Sequence, residues 1–407
     1  MKPQRCYVLN IVLVSMDCVR PDYLTKGFFN RIKKKSEEYT NCIVQAPHTS
    51  TSHVSILTGL YPFSHKVRWL LDFDVKGQMI QEVLKERGYE TAAFIGGFPL
   101  TNGNLNRGFD IFEHREVVND PLEGRSYYDP ANVLVMRAIE WLEKRKTRDS
   151  FVFLHFFDAH LTLRSELIHK TPEKDERGIY KNIERYLGRR ERRYKEEIRF
   201  MGEQLELLID LCNPDLLVIT ADHGEKMQGE KNYPWVYNSK GKQISSHFHE
   251  IELWDIQLRV PLLFYGNGIE NKLVTEQVRS IDIMPTILDL AGIKPPKTEG
   301  ISLREKKYPK YAYSETFFSQ LVEKNIHAFR MDEKHSWGWR DIDPLVSLRT
   351  NRYKLICSAR GNIVPLMFFD LTKDAEEEKN IIDKNRVQKH FELELVKLLN
   401  NDDKWKE

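Results

Sequence analysis

The chain has 407 residues, of which 41% are hydrophobic and 11% aromatic, so it is long and apolar enough for two or three folded domains. Its 62 lysines and arginines nearly balance its 60 aspartates and glutamates, and a net charge of +2 excludes a global attraction to nucleic acid or to an anionic membrane. Five scattered cysteines without a CxxC pair are typical of a reducing compartment, and no segment approaches the ~20 apolar residues of a membrane-spanning helix. We therefore expect a cytoplasmic protein with neither a nucleic-acid nor a membrane partner.

Short apolar runs rich in β-branched residues predict strands that are buried on both faces. They lie at 10–16, 91–96, 151–157, 215–220 and 260–266. Amphipathic patterns between these runs predict helices. They lie at 78–88, 131–146 and 197–212. This alternation predicts an α/β fold, with helices on both faces of a mostly parallel central sheet.

The sequence changes in character near residue 300, where Pro295, Pro296 and the charged stretch REKKYPK are typical of a connector. Beyond it, VSLRTNRYKLIC and MFFDL predict a smaller antiparallel sheet, which the helical pattern RVQKHFELELVKLLN closes. We therefore expect a catalytic α/β domain over residues 1–300 and a smaller C-terminal α+β domain over residues 301–407.

Acids and imidazoles collect where the predicted strands end. They are Asp17 after the first strand, His155, Asp158 and His160 around the third, and Asp222 and His223 after the fourth. Singly, each has a plain interpretation as a helix cap, a turn residue or a hydrogen-bonded histidine. In open α/β sheets, however, ligands bind at the carboxyl edge. Oxygen and nitrogen donors together there indicate a site for zinc or manganese.

A run of hydroxyls, Thr49, Ser50, Thr51 and Ser52, stands where the segment HTSTSHVSIL should begin a helix. A single hydroxyl is enough to cap a helix, so four in a row suggest a second role. Free backbone N–H groups and the helix dipole favour an anion at such an end. One hydroxyl is then a candidate nucleophile, and its neighbours are candidates to hold the anion that it attacks.

His247 and His249 are two residues apart just before the fifth predicted strand, so they point to the same side if this segment is extended. Alone, this pair indicates no particular function.

Motifs along nearly the whole chain resemble the sulfatase family of the alkaline phosphatase superfamily. In order, they are NIVLVSMD, HTSTSHVSILTGLYPFSHKV, FLHFFDAH, VITADHGE, HEIELWDIQLRVPLL, VRSIDIMPTILDLAGI, LRTNRYKLI and FFDLTKDAEEEKNI. The resemblance implies an alkaline-phosphatase-like α/β domain with a smaller C-terminal sheet domain. It also implies hydrolysis of an ester carried by a small molecule or a glycan; the oligomeric state stays open.

The resemblance also implies roles for individual residues. The metal ligands would be Asp17, Thr49, Asp222 and His223, the catalytic residues Thr49, His160 and His249, and the substrate-binding residues Ser50, Ser52, His53, Asp158 and His247. Zinc or manganese is favoured as the divalent ion, and calcium or magnesium is possible. Asp158, His160 and His249 are candidates for a second ion, although one ion is favoured. Cys18 replaces an acidic residue that is frequent in the family, and His53 replaces an arginine.

The chain departs from the family at the nucleophile. Sulfatases proper carry a Cys or Ser in a CxPxR sequence that is converted to formylglycine, whereas this chain has TSTSH there. Because threonine cannot undergo that conversion, we expect no formylglycine. The leading hypothesis is hydrolysis of phosphate esters or diesters through a Thr49 ester. A sulfuric ester hydrolase, a phosphoryl transferase and a non-catalytic binding protein on the same fold are the alternatives.

Overall fold

A computed structural model of the protein describes most of the chain. The described residues are 9–25, 29–68, 74–97, 100–101, 103–114, 129–145, 148–161, 183–227, 236–237, 243–244, 251–317, 343–382 and 386–400. None of the helices within these ranges is both long and apolar enough to cross a bilayer.

The described residues form fifteen strands. In chain order they are β1 (Asn10–Met16), β2 (Ser36–Ile43), β3 (Glu90–Ile95), β4 (Ile111–His114), β5 (Ser150–Phe156), β6 (Leu216–Thr220), β7 (Val236–Tyr237), β8 (Gln243–Ile244), β9 (Arg259–Gly266), β10 (Lys272–Val274), β11 (Val278–Arg279), β12 (Ala312–Thr316), β13 (Leu345–Arg349), β14 (Tyr353–Ser358) and β15 (Val364–Asp370). All five strands predicted from apolar runs are present, with ends within one residue of the prediction.

The same ranges contain ten α-helices. They are α1 (Phe29–Lys33), α2 (Thr49–Thr58), α3 (Pro62–His65), α4 (Ile80–Lys85), α5 (Ala131–Glu143), α6 (Asp158–Leu161), α7 (Ile183–Cys212), α8 (Asp255–Leu258), α9 (Ile283–Leu290) and α10 (Arg386–Leu399). Short 3-10 helices cover Pro21–Thr25, Ser280–Asp282 and Leu303–Glu305. Met201, Leu205 and Leu208 of α7 are fully buried, as the amphipathic pattern predicts.

Nine strands form the central sheet, in the order β10-β2-β9-β6-β1-β5-β3-β4, with β11 also paired to β2. Strand β1 pairs in parallel with β5 on one side and with β6 on the other. Strand β9 runs antiparallel to both β6 and β2, so the sheet is mixed but mostly parallel. The residues of β1 from Ile11 to Met16 are fully buried, which explains why this strand is apolar on both faces. The predicted fold class is confirmed.

A second, four-stranded antiparallel sheet has the order β12-β13-β14-β15. Its apolar face forms a separate core with α10, in which Leu355 and Phe368 lie beside Phe391. Tyr61 and Phe63, around the start of α3, extend this core to the first domain. The domain boundary at residue 300 stays a prediction; the second sheet begins at Ala312.

Buried charges also join the two sheets. Arg349 of β13 and Lys354 of β14 contact the carboxylate of Asp255, at 2.7 and 2.9 Å, and Lys354 Nζ lies 2.7 Å from Glu377 Oε1. The Lys354 side chain is completely buried. Burial acts to raise the pKa of Asp255, but Arg349 and Lys354 outweigh it and hold that pKa well below its usual range.

Replacing Asp255 with asparagine should lower the free energy of unfolding by about 3–5 kcal/mol, because Arg349 and Lys354 would keep their charges without their shared partner. Urea unfolding measures the change. The control is Glu196→Ala, which removes an exposed helical pair with Arg192 and should change the free energy by about 0.5 kcal/mol or less. Equal small effects of both substitutions would contradict the interpretation of this cluster as a joint between the sheets.

Candidate functional site

The candidate site lies at the carboxyl ends of three adjacent strands. Asp17 directly follows β1, Asp222 and His223 follow β6, and His160 lies in α6 after β5. Because β1 is hydrogen-bonded to both β5 and β6, their carboxyl ends meet at one edge of the sheet. Thr49 is the first residue of α2 and faces the same edge.

The structure brings the four predicted metal ligands together. One ligand atom from each of Asp17, Asp222 and His223 lies within 4.8 Å of the other two. Thr49 Oγ1 lies 3.3 Å from Asp17 Oδ2 and 3.4 Å from His223 Nε2. All four side chains are buried. A cation among the first three would therefore also be close to the threonine hydroxyl.

Two buried carboxylate oxygens at the site, Asp17 Oδ1 and Asp222 Oδ2, have no hydrogen-bond partner among the residues that the structure describes. Burying a charge without a partner is costly, so this arrangement fits a cation. Burial, followed by the charge of Asp17, raises the pKa of Asp222 to about 6. Burial also acts to raise the pKa of Asp17, but His160, His155 and His223 outweigh it and hold that pKa well below its usual range.

The ring of His223 is oriented by the backbone that follows it. Its Nδ1 lies 2.9 Å from the carbonyl oxygen of Gly224 and must donate to it, since a carbonyl only accepts. In the neutral ring, Nε2 is then the unprotonated nitrogen and faces the carboxylates. A Cβ at Gly224 would come within 2.2 Å of the Ile256 carbonyl oxygen, so only glycine allows this approach.

The hydroxyl run at the start of α2 is buried, and its members differ in what they contact. Ser52 Oγ donates to the Asp222 carbonyl at 2.5 Å and so ties α2 to the end of β6; its predicted contact with substrate stays a prediction. The predicted contact between Ser50 and substrate stays a prediction. The His48 side chain makes no capping hydrogen bond to α2.

His53 lies beside the site, and its predicted contact with substrate stays a prediction. It is fully buried, with Nδ1 2.8 Å from the Thr49 carbonyl and Nε2 2.8 Å from Ser15 Oγ. Burial, followed by the neighbouring His155, lowers the pKa of His53 to about 3, so the ring is neutral. It therefore joins α2 to β1 beneath the site. In a helix, residues four apart lie on the same side, so the sequence could have predicted that His53 lies one turn after Thr49 on the same helix face.

His155, which the sequence analysis grouped with the acids and imidazoles at the strand ends without giving it an individual role, lies beside Asp17. Its Nε2 lies 3.2 Å from Asp17 Oδ2, and it forms a buried group with His53 and Asp222. The register of the sheet explains this position, because His155 of β5 pairs with Ser15, two residues before Asp17. The alternation of side chains along β5 predicts which face of the sheet His155 is on. Its closeness to Asp17 follows only once β5 is known to lie beside β1.

The predicted partners around α6 separate into two groups. Asp158 accepts from the backbone N–H of Ala131 at 3.1 and 3.2 Å, so it caps the start of α5; its predicted contact with substrate stays a prediction. Burial raises its pKa to about 7. His160 lies instead beside Asp17, and its ring stacks on Phe157 with 4.2 Å between the centroids.

His247 and His249 lie outside the described residues, so their predicted roles stay predictions. Cys18, which follows Asp17, is fully buried at the site. Burial, followed by the charge of Asp17, raises the pKa of its thiol well above its usual value.

Comparisons with known structures show the fold. A structure described as a 2-O GAG sulfatase has a TM-score of 0.70 at 18% identity and covers 98% of this chain and 93% of its own. The phosphonate monoester hydrolase of Silicibacter pomeroyi has a TM-score of 0.71 at 16% identity, with coverages of 97% and 96%.

Sequence comparisons give the family. An ulvan-active sulfatase of Formosa agariphila is 24% identical over 415 residues, which is 90% of this chain and 75% of that protein. Human arylsulfatase K is 30% identical over 176 residues, but the match spans only 42% of this chain and 28% of the relative. Residues 244–404 match a family described as N-sulphoglucosamine sulphohydrolase, C-terminal. Residues 10–293 match the sulfatase family, and the chain therefore belongs to this family.

Proposed function

We propose that this protein is a metal-dependent ester hydrolase in which Thr49 Oγ1 attacks the phosphorus or sulfur of a bound ester. The observation that carries the proposal is the position of Thr49 Oγ1, 3.3 Å from Asp17 Oδ2 and 3.4 Å from His223 Nε2. A hydroxyl that close to candidate metal ligands is where a nucleophile would be activated.

The divalent ion would be held by Asp17, Asp222 and His223, with Thr49 as a further oxygen donor. Two carboxylates, one imidazole and one hydroxyl suit zinc or manganese; calcium and magnesium prefer oxygen alone. When bound, such an ion lowers the pKa of the hydroxyl and neutralises an oxygen of the ester.

The first turn of α2 would hold the remaining oxygens of the ester. Its backbone N–H groups and dipole favour an anion, and the His48 side chain makes no capping bond that would compete. Ser52 and His53 support this turn from below through their bonds to Asp222 and Ser15. The anion would then sit on a rigid element, as stabilisation of a developing charge requires.

Protonation of the leaving oxygen is assigned to His160 or His249, and such a step contributes about 10² to 10⁴ in rate. His160 is within the described residues, and its stacking on Phe157 fixes the plane of its ring.

A phosphate ester is the first candidate substrate. Threonine cannot become formylglycine. The covalent ester formed on Thr49 must therefore be hydrolysed by water that attacks its phosphorus or sulfur. The likeness to a phosphonate monoester hydrolase supports this choice at the level of the fold. A phosphoryl transferase would form the same Thr49 ester. Another alcohol would then take the place of water in opening it.

A sulfate ester on a glycan is the second candidate: the chemistry of threonine ranks it below a phosphate ester, whereas the names of the similar proteins favour it. The relatives include an ulvan-active sulfatase and arylsulfatase K, and the structures include one in complex with D-glucosamine-2-N,6-O-disulfate. For this chain, a sulfated or phosphorylated sugar is therefore the substrate class to test first.

We also propose a reducing compartment, as in the cytoplasm. No disulfide bond joins the four cysteines that the structure describes, Cys18, Cys42, Cys212 and Cys357, which supports this location.

Zinc or manganese should raise the thermal unfolding temperature of the metal-free protein, and the increase should grow as the pH rises through about 6. The folded pKa of Asp222 is about 6, above its unfolded value, so the metal-free fold loses stability across that window as the pH rises. Below pH 6, the ion must also displace the proton that Asp222 carries. Differential scanning calorimetry below and above pH 6, with and without the metal, measures the difference in unfolding temperature. Asp222→Asn should lose both the metal response and its pH dependence; an equal increase at both pH values would contradict the assignment.

Thr49→Val should lower turnover by at least about 10³-fold, because it removes the nucleophilic oxygen and keeps the shape of the side chain. Steady-state kinetics measures the loss, and calorimetry of zinc binding shows whether the metal site survives. The matched control Thr49→Ser keeps a hydroxyl and should keep measurable activity. Wild-type turnover in Thr49→Val would make water the direct nucleophile.

Nitrophenyl phosphate, bis-nitrophenyl phosphate and nitrophenyl sulfate, assayed side by side, should give kcat/KM for a phosphate substrate at least about tenfold above that for sulfate. The rate of Thr49→Val with each substrate gives the hydrolysis that does not depend on the Thr49 hydroxyl. A preference for sulfate would select the second candidate instead.

A further inference from the structure

The turn that follows β1 contains the first candidate metal ligand and is closed by a backbone hydrogen bond. The N–H of Val19 donates to the carbonyl of Met16 at 3.3 Å, so Asp17 and Cys18 are the two central residues of a tight turn. Cys18 has a φ of 63°, in the left-handed region where glycine is usual and a residue with a Cβ is seldom found. Contacts from elsewhere in the chain must therefore maintain the turn.

A single hydroxyl, that of Tyr194 in α7, binds the backbone on both sides of the strained position. Tyr194 Oη donates to the carbonyl of Cys18 at 2.6 Å and accepts from the N–H of Arg20 at 3.1 Å. It thereby satisfies two buried backbone groups at once, and Tyr194 itself is fully buried. Its ring packs edge-to-face on Tyr23, with 4.8 Å between the centroids. The hydroxyl therefore fixes the turn from a helix that is remote in the chain.

The same turn directs a backbone N–H to the second carboxylate of the site. The N–H of Cys18 donates to Asp222 Oδ1 at 3.2 Å, and the N–H of His223 donates to the same oxygen at 2.9 Å. These two bonds orient the carboxylate, and its other oxygen, Oδ2, lies 3.4 Å from His223 Nε2. Groups that do not touch an ion commonly orient its ligands in this way. A change in the turn would therefore disturb Asp222 as well as Asp17.

We propose that Tyr194 is a positioning residue for the metal site. Its hydroxyl locks the turn after β1 before any ion binds, and the turn then holds the carboxylates of Asp17 and Asp222 in the orientation in which they can share one ion. The inference rests on the proposed function, because it concerns the same ion. Tyr194 contacts backbone atoms of the turn rather than the candidate ligand atoms, so its effect should appear first in the affinity for the metal.

Tyr194→Phe tests the proposal, because it removes the hydroxyl and keeps the ring that packs on Tyr23. Calorimetric titration of the metal-free variant with Zn²⁺ or Mn²⁺ should give an affinity about 10- to 100-fold below that of wild type, the usual cost of losing a group that orients a metal ligand. The matched control Tyr23→Phe removes the hydroxyl of the neighbouring ring, which bonds to Glu191 at 3.3 Å, and should keep the wild-type affinity. The visible spectrum of bound Co²⁺ should change in Tyr194→Phe alone, because a displaced carboxylate alters the coordination geometry.

The outcomes separate this inference from the proposed function. A purely structural role of the hydroxyl would lower the unfolding temperature of Tyr194→Phe and leave the metal affinity of the folded variant at the wild-type value. That result would overturn the positioning role alone, while the proposed function would stand. Absence of both zinc and manganese binding in wild type would overturn the two together.

Hydrogen exchange in metal-free wild type gives a test that needs no variant, so the inference stays testable if Tyr194→Phe does not fold. The amides of Cys18 and Arg20 should already be protected from exchange without metal, because the turn is locked in advance. Fast exchange of these two amides that becomes slow only when Zn²⁺ is added would show that the ion forms the turn. It would overturn the role of Tyr194.

Discussion

Two buried carboxylates that face each other, Asp17 and Asp222, are the constraint on which the rest of the site depends. Among the described residues, each has an oxygen with no hydrogen-bond partner, and each is completely removed from water. Nearby positive charge offsets the free energy of burying such charges. Burial and the charge of Asp17 raise the pKa of Asp222, so a cation bound between the two carboxylates would relieve their repulsion.

The sheet holds this unfavourable pair in place through strand order. Asp17 and Asp222 follow β1 and β6, which are parallel neighbours, so their separation is fixed by backbone hydrogen bonds rather than by side-chain rotamers. Helix α2 is held against the same edge by Ser52, which bonds to Asp222, and by His53, which bonds to Ser15. A hydroxyl on the first turn of α2 therefore stays close to the carboxylates without any bound substrate.

The sequence predicted the strands that are apolar throughout, and it missed strands of the central sheet that are not, such as β2. Strand β2 has the sequence SEEYTNCI, yet Glu37 in it is 2% exposed, and its carboxylate binds Tyr39, two residues away, and Lys272. A partner as distant in the chain as Lys272 leaves no local pattern. The same limit applies to Ser52, His53 and Asp158. Their residue types were recognisable, but the sequence does not show their hydrogen bonds, which join segments 27 to 170 residues apart.

The C-terminal sheet supports the site through α8, although it contributes no candidate ligand among its described residues. Arg349 and Lys354 hold Asp255, the first residue of α8. Two residues later, the Gln257 carbonyl accepts the Gly224 N–H at 2.7 Å. Gly224 in turn orients the ring of His223. A shift of the second sheet would therefore move His223, because only a few covalent and hydrogen bonds separate this candidate ligand from Asp255. This makes the buried charge cluster part of the support of the site, because a ligand must be held to a few tenths of an ångström to bind an ion well.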